Sequence, residues 1–321
     1  SARHWPEMRL EPAPLHLGAD GSSGAAAYWR RAEDGTRLRF ALWPAPGALA
    51  TVLLFPGRTE YVEKYDAIAR ILQDAGFATL AVDWRGQGLS AHRDPAIRMG
   101  DVEHFLDYQQ DVRAMLATAQ ALDLPSPALL LAHSMGGAIA RRALHDGLAV
   151  EAAAFSAPMW GLTLPGLTRP LAWLLSSVAL RAGRPGLYPP GHPATPYVLT
   201  ARPALNNLTS DPMMLAKMRA AMEANPELAL GGPSLRWLHE ALLEMRALAT
   251  LPSPRIPAYA GVGSDERVVD ARAIRRGMAR WPGAEVEIFP GARHELMMEA
   301  PHHRQHFMEH VLRLYRSRVR S

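Results

Sequence analysis

Three short segments in the first half of the chain are apolar without interruption, and segments with helical spacing separate them. The apolar runs are residues 51–55, 77–82 and 128–132. Between them, residues 65–75 and 102–122 carry apolar side chains at the spacing of an amphipathic helix. Strands that are apolar on both faces and alternate with helices predict a parallel sheet covered on both sides. The chain is therefore expected to form an α/β fold.

This alternation stops at Pro158. Residues 158–248 have no clear strand pattern and include helical stretches at 213–224 and 235–248, whereas strand patterns return at 256–262 and 285–289. One α/β domain with a helical insertion accounts for this organisation. We predict a first core part, a helical cap insertion and a second core part, at residues 1–157, 158–248 and 249–321.

The composition excludes several classes of function. The 321 residues include 35 Lys and Arg against 31 Asp and Glu, and the basic excess is spread along the chain. A nucleic-acid-binding protein would concentrate its positive charge, so we expect no nucleic-acid partner. Because the chain has no cysteine, disulfides, thiol nucleophiles and thiolate metal sites are excluded. No motif requires a metal or an organic cofactor, and we expect none.

Little in the sequence indicates a membrane-spanning or exported protein. Residues 1–6 lack the basic and then apolar pattern of a signal peptide. The most apolar long stretch, residues 171–180, is about half a membrane span. We expect a cytoplasmic protein, with possible peripheral contact at the inner face of the membrane. Four C-terminal arginines would suit anionic lipid, but a solvated helix end explains them equally well: Arg313, Arg316, Arg318 and Arg320. The sequence does not indicate an oligomeric state.

The sharpest local signal is a serine that directly follows the apolar run at 128–132. Ser134 stands between His133 and Met135, with Ala132 before them and Gly136 after them. A strand, a serine among small residues and a small-residue helix start are typical of a nucleophile elbow. The alternative is a buried glycine-rich turn with an incidental serine. The elbow interpretation puts Ser134 at a helix N-terminus, where backbone amides stabilise an oxyanion.

A serine nucleophile needs a general base, and His294 is the best candidate. It lies in a loop directly after the last predicted strand. In proteins with a nucleophile elbow the triad follows the chain order Ser, acid, His, and this position agrees with that order. His302, His306 and His310 share one face of the predicted terminal helix, which permits a metal site. Without a carboxylate in a zinc-like arrangement, a solvated helix face is the preferred interpretation.

The acid that orients the base is expected after the strand at 256–262. Asp265 and Glu266 are adjacent there. Either carboxylate is able to accept a hydrogen bond from the imidazole and stabilise the imidazolium that forms. Chemistry alone does not choose between them.

The backbone donors of an oxyanion hole are expected in two turns. Gly57 follows the first central strand and lets the backbone approach a ligand closely, so the amide of Arg58 would pair with that of Met135. Glu60 in the same loop is either a surface carboxylate or an anchor that accepts backbone hydrogen bonds.

Several motifs, each weak alone, occur together in this chain: Phe55-Pro56-Gly57 with Glu60 and Tyr65, Asp83-Trp84-Arg85-Gly86-Gln87-Gly88-Leu89-Ser90, Ala132-His133-Ser134-Met135-Gly136-Gly137, and Gly291-Ala292-Arg293-His294-Glu295. Together they resemble the monoacylglycerol lipase and lysophospholipase L2 group of α/β-hydrolases. Two segments of the predicted insertion are similar to lysophospholipase L2-type proteins in particular: Asn206-Asn207-Leu208-Thr209-Ser210 and Leu230-Gly231-Gly232-Pro233-Ser234-Leu235-Arg236-Trp237.

The resemblance implies an α/β-hydrolase fold, a mostly parallel sheet flanked by helices with an inserted helical cap, and hydrolysis of lipid-like esters. Counting from Gly263 as in the family favours Glu266 over Asp265 as the acid. The resemblance gives Asp83 and Arg85 a structural role in a turn. The chain departs from the family where the common His-Gly turn is Pro56-Gly57, and where Arg58 is larger than the usual residue.

Two other functions remain open. A prolyl-type aminopeptidase of the same fold would need acidic cap residues that face the pocket, and the four available glutamates are expected to be exposed: Glu223, Glu227, Glu240 and Glu244. A non-catalytic ligand-binding homologue would usually lack a triad member. An apolar cap suits an acyl chain, and we expect about a third of its large apolar residues to reach the pocket: Met159, Trp160, Leu162, Leu171, Trp173, Leu174, Leu175, Met213 and Met214.

Overall fold

The computed structural model of the protein describes residues 10–94, 97–163, 168–191 and 194–319. The expectations for residues 1–6 and for Arg320 lie outside the described residues. The described part of the chain forms one nine-stranded sheet. Its strands are Glu11–Ala13 (β1), Ala26–Arg31 (β2), Arg37–Trp43 (β3), Ala50–Phe55 (β4), Phe77–Asp83 (β5), Ala128–His133 (β6), Ala153–Ser156 (β7), Ala258–Gly263 (β8) and Ala284–Phe289 (β9).

The sheet has an antiparallel edge and a parallel body. The strand order is β1-β2-β3-β5-β4-β6-β7-β8-β9. Neighbouring strands are antiparallel in this order from β1 as far as β5. All the later neighbours, from the pair β5-β4 to the pair β8-β9, are parallel. The predicted α/β-hydrolase fold with a mostly parallel sheet is confirmed. The antiparallel edge was not predicted, because the arginines of β2 and β3 interrupt their apolar pattern. The β7 strand was not predicted either, because four residues are too few to give a strand pattern.

Helices cover both faces of the sheet, as a parallel sheet requires. One face packs against Met115, Ile139 and Met245, and the other against Leu72 and Val311. No helix within the described residues is both long enough and apolar enough to cross a membrane. The helices are Asp66–Asp74 (α1), Tyr108–Ala121 (α2), Met135–His145 (α3), Thr168–Arg181 (α4), Tyr197–Thr200 (α5), Pro212–Ala224 (α6), Leu235–Thr250 (α7), Ala271–Ala279 (α8) and Pro301–Arg316 (α9).

The prediction of a helix over residues 102–122 was wrong at its start. The α2 helix begins at Tyr108, after a short 3-10 turn at Phe105–Asp107. The Asp107 carboxylate accepts a hydrogen bond from the His104 backbone, and the Phe105 backbone donates to Glu240 of α7 at 3.0 Å. These side-chain acceptors satisfy two backbone N–H groups just ahead of α2, where a helix start leaves N–H groups without intrahelical partners.

The segment between β7 and β8 is helical in its described residues, which include α4, α5, α6 and α7 and no strand. The α7 helix buries Trp237 and Met245 in the same core as the sheet. The α4 helix packs on α7. The boundaries of the cap insertion, residues 158 and 248, remain a prediction.

The parallel strands end at one edge of the sheet, and the sequence-predicted functional residues follow those ends. Arg58 follows β4, Ser134 follows β6, Glu266 follows β8 and His294 follows β9. Ligand sites of open α/β sheets lie in the crevice outside these carboxyl ends. The topology therefore brings residues from four loops to one place.

Candidate active site

Ser134 occupies the sharp turn between β6 and α3. Its backbone has φ 50° and ψ −117°, a conformation that side-chain-bearing residues rarely adopt. A Cβ atom at Gly136 would overlap the backbone carbonyl of Phe55, and one at Gly137 would overlap the side chain of Pro158. Glycine at both positions lets the start of α3 pack against these neighbours. The turn is thereby held in its strained conformation with Ser134 lining a cavity.

Ser134, His294 and Glu266 are joined in one hydrogen-bonded chain. His294 Nε2 lies 2.9 Å from Ser134 Oγ, and His294 Nδ1 lies 2.8 Å from Glu266 Oε2. The second oxygen of Glu266 accepts the backbone N–H groups of Val268 at 2.6 Å and Val269 at 3.0 Å. These two bonds hold the carboxylate in place, so its other oxygen is directed at the imidazole.

Asp265 has a different environment from Glu266. Its side chain is exposed, and among the described residues it accepts a side-chain hydrogen bond from the hydroxyl of Ser264 at 3.1 Å. The Glu266 side chain is 1% exposed and contacts His294. The geometry brings Glu266 and not Asp265 to the imidazole.

The charges around His294 determine its proton affinity. Burial favours the neutral imidazole and lowers its pKa, but the carboxylates of Glu266, Glu295 and Glu60 outweigh burial, and the pKa of His294 lies above its ordinary value. For Glu266, burial raises the pKa, whereas His294 and the two backbone donors lower it by more, so the pKa of this carboxyl is below its ordinary value. An ionised Glu266 carboxylate bonded to a His294 imidazole of raised proton affinity is the arrangement expected of a general base and the acid that orients it.

Two backbone N–H groups near Ser134 are available to a ligand. Those of Arg58 and Met135 have no acceptor among the hydrogen bonds of the described residues. Phe55 pairs with Ala132 in the parallel register of β4 and β6, so the turns after both strands lie side by side. These are the two donors that the sequence predicted for an oxyanion hole.

Side chains fix the turn that carries the Arg58 amide. Glu60 is buried, and its Oε2 accepts the Gly57 N–H and the Tyr65 hydroxyl, each at 2.5 Å. Gln87 accepts the Thr59 N–H at 2.6 Å. Glu60 is therefore an anchor of this loop and not a surface carboxylate. Gln87 is a further anchor that sequence reasoning missed.

A buried cluster of charged groups lies beneath the site. The Lys64 ammonium donates to Glu60 at 2.7 Å and to Glu295 at 2.8 Å, and all three side chains are nearly inaccessible. Burial raises the pKa of Glu60, but Lys64 and His133 lower it by more, to about 2. Burial lowers the pKa of Lys64, and the two carboxylates raise it above its ordinary value. This cluster carries one negative charge in excess when all three groups are ionised.

Sequence reasoning gave no role to Lys64 or Glu295. Lys64 follows Glu60 by four residues, a spacing at which helical side chains meet, and this signal was available in the sequence. Glu295 directly follows His294, but a neighbour in sequence carries no information about which loop it contacts.

A second histidine, His133, lies close to the site, but among the described hydrogen bonds it has none to the Ser134 hydroxyl. Its ring is 4.8 Å from that of His294, and its Nδ1 lies 2.9 Å from the Ser156 carbonyl. Burial lowers the pKa of His133 to about 4, with Glu60 opposing this effect. His133 is therefore neutral near pH 7, and its N–H donor holds the end of β7.

Asp83 and Arg85 maintain a turn and do not line the cavity of Ser134. The Asp83 carboxylate accepts the backbone N–H groups of Val62 and Leu89, both at 2.9 Å. The Arg85 guanidinium pairs with buried Asp111 at 2.7 Å. These contacts match the structural role that the resemblance implies.

The insertion bonds directly to the His294 loop. The His294 N–H donates to the Asn207 carbonyl at 3.3 Å, and the Glu295 N–H donates to the Leu208 carbonyl at 2.8 Å. The Asn206 side chain accepts the Leu208 N–H at 2.9 Å and so shapes this strip of backbone. The insertion therefore supports the position of the base as well as forming part of the cavity wall.

The cavity at Ser134 has a volume of about 350 Å³, within the range of small-molecule sites. None of the nine apolar cap residues that the sequence singled out is among its described lining residues, so the expectation that a third of them reach the pocket was wrong. The insertion contributes other apolar side chains to the wall: Pro196, Val198, Leu208, Met218, Met222 and Leu230. Helical periodicity identified apolar faces but did not indicate which way they point.

A larger cavity of about 540 Å³ lies on the other side of Tyr61, Lys64 and Met218, which line both spaces. Neither Ser134 nor His294 lines it. The chemistry of the serine is therefore confined to the smaller cavity.

The four cap glutamates do not line the cavity of Ser134 among the described residues. Glu223 and Glu227 are exposed, and Glu240 is partly buried. The expectation that all four are exposed was wrong for Glu240 and most clearly for Glu244, which is 5% exposed and pairs with Arg142 at 2.7 Å. A buried acidic side chain on this insertion thus serves its packing on α3.

Comparisons with known proteins agree with this geometry. The profile of a hydrolase family described as serine aminopeptidase, S33, matches residues 47–301. The lysophospholipase L2 of Escherichia coli strain K12 is 29% identical over 293 residues, which covers 85% of this chain and 84% of that protein. The probable lysophospholipase L2 of Haemophilus influenzae is 27% identical over 275 residues, covering 85% and 86%.

Solved structures are similar in fold. A soluble variant of the monoglyceride lipase from Saccharomyces cerevisiae, in complex with a substrate analog, has a TM-score of 0.73 at 19% identity and covers 97% of this chain and 100% of that chain. The monoacylglycerol lipase of Paleococcus ferrophilus has a TM-score of 0.68 at 19% identity, covering 88% and 99%. At this identity the likeness concerns the fold alone.

Proposed function

The chain belongs to the serine aminopeptidase, S33, family of hydrolases, and from this premise we propose that it hydrolyses carboxylic esters of lipid-like substrates with Ser134 as nucleophile, His294 as general base and Glu266 as the orienting acid. One observation carries the proposal: the unbroken hydrogen-bonded chain from Ser134 Oγ through His294 to Glu266, at 2.9 and 2.8 Å. Two curated relatives that cover 85% of the chain are described as a lysophospholipase L2 and a probable lysophospholipase L2.

The acylation half of the reaction uses the triad and the two free backbone donors. His294 Nε2 accepts the proton of Ser134 as its oxygen attacks the ester carbonyl, and Glu266 stabilises the imidazolium that forms. The amides of Arg58 and Met135 donate to the oxyanion of the tetrahedral intermediate, each contributing about 10²–10³ in rate. The imidazolium then protonates the leaving alcohol.

Deacylation repeats these steps with water in place of the serine. His294 deprotonates the water, which attacks the acyl-enzyme carbonyl, and the same two amides hold the second oxyanion. Collapse returns the proton to Ser134 and releases a fatty acid. The apolar wall formed by Val198, Met218 and Met222 suits the acyl chain.

An ester substrate fits the cavity better than a peptide with a free amino group. An aminopeptidase needs a carboxylate available to bind the substrate ammonium. The carboxylates that line the cavity, Glu60 and Glu295, are both bound to the Lys64 ammonium. This argues against the prolyl-type aminopeptidase, although the family description names a serine aminopeptidase.

The side chain of Arg58 favours an anionic substrate. It lines the cavity, and in the described residues its hydrogen-bond partner is the Gly231 carbonyl at 3.2 Å, with no carboxylate paired to it. Burial lowers the pKa of Arg58 to about 10, with Tyr108 opposing this, so the guanidinium stays charged at neutral pH. A guanidinium with free donors binds a phosphodiester well. We therefore favour a lysophospholipid over a monoacylglycerol.

The α4 helix is the element that we propose for peripheral contact with a lipid surface. It exposes four apolar side chains at the spacing of one helix face: Leu171, Leu174, Leu175 and Val178. Arg181 and Arg184, at and beyond its end, are exposed and suit anionic lipid headgroups. The cytoplasmic location stays a prediction from the sequence.

Hydrolysis of p-nitrophenyl esters of increasing acyl length tests the triad. We expect Ser134→Ala to lower kcat/KM by about 10⁴-fold or more and Glu266→Gln by about 10²–10⁴-fold. Asp265→Asn is the matched control and should stay within about twofold of wild type. The length profile separates a long-chain lipase from a short-chain esterase.

Circular dichroism of each variant would establish that it is folded. Residual activity of Ser134→Ala comparable to wild type would overturn the nucleophile, and an equal loss in Asp265→Asn and Glu266→Gln would overturn the choice of acid. A wild type that cleaves no ester would point to a peptide substrate or a binding role.

A further inference from the structure

Two histidines of α9 and a glutamate of β9 form a cluster away from the cavity of Ser134. His306 Nε2 lies 2.7 Å from Glu287 Oε1, and His310 Nε2 lies 3.6 Å from Glu287 Oε2. The sequence indicated a solvated face for His302, His306 and His310 because no carboxylate was in view. Glu287 supplies that carboxylate from the edge strand, and His302 lies outside the cluster.

The groups around the cluster orient its ligand atoms. His310 Nδ1 lies 3.0 Å from the His306 carbonyl, and since a carbonyl only accepts, Nδ1 carries a proton, which in the neutral imidazole leaves the lone pair on Nε2. The Tyr259 hydroxyl donates to Glu287 Oε2 at 2.8 Å. The His310 ring is stacked on that of Tyr259 with centroids 5.2 Å apart. Histidines that bind metals typically donate their other N–H to a carbonyl in this way.

The spacing of the three ligand atoms suits a transition metal ion. They lie within 4.8 Å of one another, whereas tetrahedral ligation at 2.0–2.1 Å requires separations of roughly 3.4 Å. The distance of 2.7 Å between His306 and Glu287 would widen and the 3.6 Å distance between His310 and Glu287 would shorten slightly. The ion would replace the direct contact between His306 and Glu287 as the link between the helix and the strand.

The cluster is open to solvent on one side. The His306 side chain is 47% exposed, that of Glu287 33% and that of His310 20%. Solvent is therefore able to deliver an ion and to supply its remaining ligands. The other cluster with suitable ligand atoms in the described residues, Glu60 with His133 and Glu295, already holds the Lys64 ammonium.

We propose that Glu287, His306 and His310 bind one divalent transition metal ion, with Zn²⁺ the best match. Two imidazole nitrogens and one carboxylate favour Zn²⁺, Co²⁺ or Ni²⁺, whereas Ca²⁺ and Mg²⁺ require oxygen ligands. The ion cross-links β9 to α9, and β9 ends at Phe289, five residues before His294. The site therefore braces the strand that leads to the proposed general base, but it takes no part in ester hydrolysis.

Zinc titration of the full chain after EDTA treatment and removal of the chelator tests the site. Calorimetry should show one Zn²⁺ per chain, and saturating zinc should raise the Tm by about 5 °C. His306→Gln, His310→Gln and Glu287→Gln should each weaken zinc binding by about tenfold or more. His302→Gln, on the same helix and outside the cluster, is the matched control and should bind as wild type does.

Two further measurements protect the test against misfolded variants. The Tm of each variant without metal gives its own baseline, so the increment on adding zinc is the quantity compared. Cobalt added to the wild type should give the visible absorption of a tetrahedral site. No zinc-dependent rise in Tm, or equal zinc affinity in wild type, His306→Gln and His310→Gln, would overturn the proposal. Equal rises with Mg²⁺ and Ca²⁺ would also do so.

Discussion

Two parts of the insertion meet the α/β core in opposite ways. The first, which we call the anchored part, comprises residues 206–210 and 231–236 and forms polar contacts with core loops. Its backbone accepts the His294 N–H, and its Arg236 forms an ion pair with Asp101. These contacts join loops that are distant in sequence, so the anchored part is fixed relative to the site.

The second part is α4, which has few such contacts. It packs on α7 with one side, and its other side presents Leu174 to solvent with 60% of that residue exposed. In the part of α4 whose side chains are described, Ser176 bonds to His239 of α7 and no salt bridge joins α4 to the core. An apolar face without a partner adds nothing to the stability of the fold in water.

The comparison indicates that one insertion performs two tasks. Polar contacts hold the anchored part where the proposed base and the Arg58 turn need support, and apolar exposure leaves α4 available for lipid. Changes in the anchored part should therefore alter the stability and chemistry of the protein, whereas changes in α4 should alter only its encounter with lipid.

The largest effect is expected from Glu299→Ala, which breaks the anchored part away from the His294 loop. Buried Glu299 accepts the Ser210 N–H at 2.9 Å, the Ser210 hydroxyl at 2.5 Å and the Arg293 N–H at 2.7 Å. Alanine removes the shared acceptor of these three donors, at a cost of about 3 kcal/mol in the free energy of unfolding. The Tm in thermal unfolding should fall by roughly 5 °C.

A matched control is Glu309→Ala on the exposed side of α9, which should change the free energy of unfolding by less than about 0.5 kcal/mol. Equal stability of the two variants would contradict the idea that the anchored part is fixed by Glu299. We also expect kcat on a soluble ester to fall in Glu299→Ala, because His294 loses part of its support.

The second prediction concerns Arg58→Gln, which removes the charge at the border between the cavity and the anchored part. The ratio of kcat/KM for a lysophospholipid to that for a monoacylglycerol of the same acyl chain should fall by about tenfold, as expected when one charge-assisted hydrogen bond is lost. Arg58→Lys should keep more of this ratio. An unchanged ratio in Arg58→Gln would remove the case for an anionic substrate while leaving ester hydrolysis untouched.

The third prediction uses pH to read the charges beside the anchored part. Since the pKa of His294 is raised by its carboxylate neighbours, the acid limb of kcat/KM should lie above pH 6.5, where the ordinary imidazole titrates. Glu295→Gln removes one of these charges, which lowers the pKa of His294 and moves the acid limb to lower pH. A limb that stays in place, or moves upward, would show that Glu295 does not act on His294 through its charge.

The residues of the candidate triad differ in how far the sequence alone predicted them. The sequence singled out Ser134 and His294 as candidates because their signals are local: a strand that runs into small residues, and a histidine after the last strand. The choice of Glu266 needed the family pattern, since Asp265 is chemically equivalent on paper. What separates the two is the pair of backbone donors at Val268 and Val269.

The unpredicted features depend on contacts between distant segments. The Glu287 carboxylate meets His306 from another element, and Lys64 meets Glu295 across 231 residues. Nothing in either local pattern indicates such partners. The apolar residues of α4 were recognised as one face of a helix, but periodicity says only which residues share a face. Whether that face meets the core, the cavity or the solvent is decided by the packing of α4 on α7.

The smallest effect on the folded protein is expected from Leu174→Ser in α4. Because this side chain already faces water, its replacement should change the free energy of unfolding by no more than about 0.5 kcal/mol and leave hydrolysis of a soluble short-chain ester unchanged. Binding to vesicles that contain anionic phospholipid should weaken, since each buried CH₂ contributes about 0.8 kcal/mol at a membrane.

Leu49→Ser is the matched control. It changes a similarly exposed leucine before β4, at the opposite edge of the sheet from Ser134, and should bind vesicles as wild type does. If Leu174→Ser and Leu49→Ser bind vesicles equally, α4 is not the lipid contact, and the division of tasks within the insertion fails at that point while the anchored part keeps its role.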